Sequence, residues 1–333
     1  MSAFFLLLLP VLGLGLLVVL GAVWEWLRPL DCQPLRIDPF FARNDEYFAR
    51  RFRVIAADWW AGNDEARVHG EASFPAEHNE KNTLFCESLR AEPGSVFESE
   101  IWCRQDLQLA GNCRARAVLS DESATLGEFC HIERWAHAER ALTLARGSCV
   151  AARTTCAGLL TMTSGCKTRL LSARELRWQG ERRPEAFSPP PNSARWKLLA
   201  AAPASRAPDG TLFVDGNVVI DENAHIDVPL VVRGSLLVRR GAVLARDVKA
   251  HDDAILEGVE LIGNLTALGS LRVGDGSRVR GCLRGDREVW IGDGVNIGEA
   301  SAAVAVVGGR VVLTGSGSCS GRIKALKDWV EVA

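Results

Sequence analysis

The chain lacks an excess of either charge: 39 basic and 41 acidic residues leave a net charge of -2 over 333 residues. A basic face that grips nucleic-acid phosphates is therefore not expected. It also lacks the short motifs of common catalytic and ligand sites. No GxSxG, HExxH or EF-hand loop occurs, and Gly13 and Gly15 lie in an apolar run rather than in a strand–helix unit. Gly158–Thr168 (GLLTMTSGCKT) comes nearest to a phosphate loop, but Cys166 separates Gly165 from Lys167 where the motif needs them adjacent. No nucleotide, metal or other cofactor is implied, and the expectation is a protein that is not an enzyme. Disorder throughout is also excluded, because apolar residues make up 47% and charged residues 24%.

Nothing basic precedes the first apolar run, which argues against a secretory signal peptide with its charged leading region. Cleavage after Ala22 would also put bulky Leu20 where a small residue is required. Residues Ala3 to Val23 are uncharged. At ~1.5 Å per residue the run is about long enough to cross a hydrocarbon core of ~30 Å. It is read as an uncleaved membrane anchor with Trp24 and Trp26 at headgroup level. The competing reading, a helix lying in the interface, lacks a polar face. Arg28, Arg36, Arg43, Arg50, Arg51 and Arg53 follow the run, so the larger part is expected on the cytoplasmic side of the inner membrane. Thiols stay reduced there, and the ten cysteines are read as small buried hydrophobes.

Beyond the anchor the dominant signal is a period of six. Val214, Ile220, Ile226, Val232, Val238, Leu244, Ala250, Leu256, Ile262 and Leu268 follow it. After one deletion it resumes at Val273, Val279, Gly285, Ile291, Ile297 and Ala303. Two residues before most of these stands a second small or apolar residue, such as Val218, Leu230, Leu236 and Val248. A helix of period ~3.6 scatters such positions around its surface, whereas strand alternation points each pair inward. Gly, Asp, Asn, Arg and Ser between the pairs suit bends. Three strand–corner units per coil predict an all-β, three-sided β-solenoid.

The middle of the chain carries the same rhythm at Leu126, Ile132, Ala138, Leu144, Val150, Cys156, Met162 and Thr168. Leu89, Ser95, Ile101, Leu107, Cys113 and Leu119 precede them one residue out of register. Cys113, Cys130, Cys149 and Cys166 recur about once per coil and are expected to stack as an inward ladder. A zinc site gathers its ligands around one ion, which a column does not do. Trp102, Trp135 and Trp178 are expected near corners, covering a core edge.

This gives an anchor over 1–28, a juxtamembrane and capping segment over 29–82, and a first solenoid segment over 83–178. A Pro-rich linker covers 179–210, a second solenoid segment 211–325 and a tail 326–333. The Arg-aromatic stretch Asp38–Gly62 is expected to cap the first coil, and the linker permits either a continuous stack or two stacks side by side. Among the six histidines, His251 beside Asp252 and Asp253 is the best placed for a general base, as in acyl-CoA-dependent transferases built on hexapeptide repeats. His225 is second. Both fall at polar corners where a solvated histidine needs no function.

Val231–Gly281 resembles the bactofilins, bacterial polymer-forming cytoskeletal proteins, through runs of G-x-L-x-V and G-x-V at Gly234, Leu236, Val238, Gly241, Val243, Gly263, Leu265, Gly269, Leu271, Val273 and Val279. The resemblance covers about the C-terminal third. It implies a right-handed β-helix that polymerises end to end without nucleotide, often attached to the inner membrane. The partners it implies are further copies of the chain, the membrane and other scaffold proteins.

Overall fold

A computed structural model describes residues 44–62, 70–181, 196–299 and 304–333. Residues 45–333 form one compact unit. The apolar run 3–23 and its flank fall outside the described residues, among which no helix is long and apolar enough to cross a membrane.

The chain is all-β, about 57% strand, wound as a β-solenoid of about 14 turns. Its strands are two to fifteen residues long and pair in parallel with the strands one coil away. In the second segment Leu236–Val238 pairs with Ala254–Leu256, which pairs with Leu271–Val273. In the first, Leu107–Leu109 pairs with Ala124–Leu126, and Ala141–Leu144 with Leu159–Met162. Alternation sends both residues of each apolar pair into one continuous core, from Leu107 and Leu126 through Leu236 and Leu256 to Val330.

The hexad reading holds along most of this core and slips in two coils. Ile101 pairs with Val118, so Val118 is inward and Leu119, expected inward, turns out to the flank. Ile262 and Leu268 are 40% and 42% exposed, while Leu261 and Ala267 are fully buried. Leu244 pairs with Leu261, so the missing residue belongs to the corner at Glu257–Gly258 and not after Leu268. Gly258, at φ 61°, turns that corner in fewer residues.

One corner is made alike in five successive coils of the first segment. A residue in the left-handed region is followed by a small one: Gly94–Ser95, Asn112–Cys113, Phe129–Cys130, Gly147–Ser148 and Gly165–Cys166. The small side chain donates to a carbonyl of a nearby corner, Ser148 Oγ to Gly127 at 2.6 Å, Cys130 Sγ to Ala110 at 3.0 Å and Cys166 Sγ to Ala145 at 3.0 Å. The expected ladder is corrected here. Ser148, not Cys149, holds the third cysteine's place. Cys149 is half-buried and pairs with His131 on one side and Lys167 on the other. Either a thiol or a hydroxyl satisfies the corner, so counting cysteines alone misplaced the column.

Other corners carry a second device. Asn264 Oδ1 accepts from the Cys282 N–H, Asp275 Oδ1 from the Asp293 N–H and Asp293 Oδ1 from the Ser316 N–H, each reaching one coil along. These bonds satisfy amides that lie between the strands.

The two solenoid segments meet end to end at their C-terminal coils. Lys167–Gln179 closes the first, Ser316–Ala325 nearly closes the second, and they pair antiparallel from Leu170↔Lys324 to Gln179↔Ser316. Lys167–Thr168 extends the seam against Val330–Glu331. Trp178, expected at a corner, points into the core at this seam and donates Nε1 to Thr314 O at 3.4 Å. The described end of the linker builds the start of the second segment: Trp196–Leu198 pairs with Asn217–Val219, Ala204–Arg206 pairs antiparallel with Leu212–Val214, and Leu199 and Ala202 pack onto the core.

Candidate interaction surfaces

The described part of the Arg-aromatic stretch is the helix Tyr47–Gly62. It lies along the flank of the first segment, not across its open end. The physical cause is two outward columns, one of them holding Leu119, which the hexad count turns inward. Phe85, Trp102 and Leu119 stand above one another in register, and Trp135 and Ala117 lie beside them. Phe48, Ala49, Phe52 and Ala56 share one helical face and pack into that stripe. Sixteen residues at ~1.5 Å each span ~24 Å, about five coil spacings of ~4.8 Å. A helix of this length matches the stripe when it runs along the solenoid axis.

A polar cluster fastens the helix. The Arg53 guanidinium reaches Asp121 at 2.6 Å and Glu139 at 2.8 Å, and Trp102 Nε1 donates to the other Asp121 oxygen at 3.0 Å. Burial opposes the charge on Arg53, but pairing with both carboxylates outweighs it and raises its pKa. His137, buried beneath the helix, meets Thr155 Oγ1 through Nδ1 at 2.8 Å and Glu139 through Nε2 at 3.4 Å. Burial lowers its pKa, against the pull of Glu139 and Glu46. At the seam end Asp45 meets Arg322 at 2.7 Å, and the Arg153 guanidinium lies over the Phe48 ring at 4.8 Å.

His251 and Asp252 lie exposed at a corner after Val248–Ala250. Asp253 is turned away from them: its Oδ1 accepts from the Ser270 N–H at 2.7 Å and from Arg287 at 2.6 Å. His225 is likewise exposed on its strand. A shallow groove of about 490 Å³ runs on the flank of the second segment, lined by Pro229, Val231, Lys249, Thr266, Leu268 and Arg284 among others, and no histidine lines it. Among the described residues no cluster of three or more His, Cys, Asp or Glu is arranged to hold a metal ion.

Gly158–Thr168 runs from the strand Cys149–Thr163 through a corner into the next strand, with Met162 and Cys166 inward. Trp290–Gly298 is a coil segment with Ile291 and Ile297 in the core and Gly294 at the corner. Val304–Leu313 is a strand paired with Leu283–Ile291. Sequence reasoning missed the flank stripe and the seam. The stripe left a signal, since Phe85, Trp102, Leu119 and Trp135 are large apolar residues at positions that alternation turns outward.

No protein-family model, curated protein or solved structure matches the chain.

Proposed function

We propose that the protein is a non-enzymatic scaffold of bactofilin-like type, three-sided and right-handed, anchored to the inner membrane by residues 3–23. Its solenoid ends self-associate without nucleotide, with the solenoid on the cytoplasmic side. The observation that supports this most is the seam between Lys167–Gln179 and Ser316–Ala325. Two coil ends of this chain already join through edge-strand hydrogen bonds and a shared apolar core, the means by which separate copies would join. Because that seam uses both C-terminal coils, joining between copies falls to the N-terminal ends, the coil Glu71–Cys86 and the coil beginning at Trp196.

Sedimentation and electron microscopy of the full chain in detergent, and of residues 30–333, test the reading with no nucleotide present. Oligomers or fibres that grow with concentration are expected. Monomers at every concentration would overturn it.

A further inference from the structure

Among the described residues, Cys86 and Cys103 are the only cysteines that face each other in the strand ladder. They are direct partners between Leu84–Cys86 and Val96–Cys103. Their sulfurs lie 3.2 Å apart and both residues are fully buried. Cys113 and Cys130, one coil apart on the corner column, also hydrogen-bond to each other, but they are not strand partners and each points at a corner carbonyl as well. Cys166 points at a corner carbonyl, Cys156 stands between Ala138 and Ala173, and Cys149 between His131 and Lys167. Partners in adjacent coils stand ~4.8 Å apart at Cα, inside the ~4.4–6.8 Å range that a disulfide spans. The backbone therefore already holds these two residues where a bond between them requires no rearrangement of the strands.

We propose that Cys86 and Cys103 form a coil-to-coil disulfide site, closed when the chain folds in the presence of a low-molecular-weight disulfide. A thiolate on one residue attacks the small disulfide and releases one small thiol. The second cysteine then displaces the other small thiol, so the protein loses two hydrogens and the oxidant becomes two thiols. The folded chain is closed to this chemistry in both directions. Neither sulfur is solvent-accessible, and the hydrogen bond between the two, with burial, keeps Cys103 protonated far above the ordinary thiol range. The exchange belongs to the open chain, before the coils close the core around the pair. The finished solenoid then preserves whichever redox state it folded in.

The test refolds the full, reduced chain in detergent with glutathione disulfide and glutathione, and in parallel with glutathione alone. Free thiols are alkylated under denaturing conditions and peptides are mapped without reduction. The expected result is a single linked peptide pair, Cys86 to Cys103, in the oxidising arm only. The linked protein resists dithiothreitol while folded, loses the link when denatured, and has an unfolding midpoint several degrees above the reduced form. The Cys86→Ser variant leaves Cys103 alkylated. Free Cys86 and Cys103 after oxidative refolding to full β-type circular dichroism, or links scattered over other cysteines, would overturn the proposal. If the detergent-refolded chain precipitates, the same mapping on chain synthesised in a cell-free lysate, with and without glutathione disulfide, decides by the same two outcomes.

Discussion

Trp178 stands directly across the antiparallel seam from Gly317, and its indole occupies the space that a side chain at 317 would fill. The pairing is between an inward residue that ends the first segment's core and a strand position bare of side chain in the second. A methyl group at 317 would overlap the ring carbons of the indole. Gly317 is therefore required by the tryptophan and not by its own backbone conformation.

Gly317→Val is expected to destabilise the chain by about 1–3 kcal/mol, the usual cost of overpacking, with the loss concentrated at the seam. Trp178→Ala should cost about 3–5 kcal/mol by leaving a cavity there. Denaturant unfolding gives the magnitudes. Amide exchange should show faster opening of Lys167–Gln179 and Ser316–Ala325 than of the early coils.

Acid should loosen the helix Tyr47–Gly62 from the flank. His137 has its pKa lowered below the ordinary 6.5 by burial, so the unfolded chain binds its proton more readily and stability falls as pH drops below that value. Burial would raise the pKa of Glu139, but Arg53 and His137 together lower it from 4.5; its contribution, present above that value, is lost as pH falls through the lowered one. Both signs agree. The protection factors of the helix amides, which correct for the slower intrinsic exchange in acid, should fall between pH 7 and pH 4, and His137→Gln should remove the upper part of that dependence.

The shortened corner at Gly258 fixes which residues tolerate change. Leu261→Ala is expected to cost about 2–5 kcal/mol, whereas Ile262→Ser one position along should stay within about 0.5 kcal/mol. Thermal unfolding of the two variants checks the register directly. Equal losses would mean that the coil is wound one residue out.

The corner column predicts that thiol and hydroxyl exchange freely. Cys130→Ser and Ser148→Cys should each change stability by less than about 1 kcal/mol, since both keep a donor for the corner carbonyl. Ser148→Val, which removes the donor to the buried Gly127 carbonyl, should cost about 1–3 kcal/mol. Unfolding midpoints at constant denaturant slope measure the difference.

Much of the core was legible before the fold. Val218, Leu236 and Leu256 in the second segment, and Leu126, Ile132 and Met162 in the first, are inward as the period of six requires, because a strand's alternation is a local property of the backbone. The errors fall where a corner changes length or chemistry. Ile262 and Leu268 followed an unbroken count through a corner one residue short, Leu119 did the same across the register shift between Ala115 and Ala117, and Cys149 stood in for Ser148 because the corner accepts either donor. His251 and Asp252 are exposed at their corner, and what the local pattern did not show is that Asp253 beside them is held by Ser270 and by Arg287, a partner 34 residues away.

What the sequence by itself determined is the winding: which residues face inward, where coils turn, and that two such stretches exist. Those depend on alternation, small corner residues and glycine, all within one coil of each other. The antiparallel seam and the placing of the helix on the flank were decided only by tertiary structure. Each joins surfaces far apart along the chain, Trp178 with Gly317 and Phe52 with Trp135, and depends on shape and apolar area that exist only once the coils have stacked.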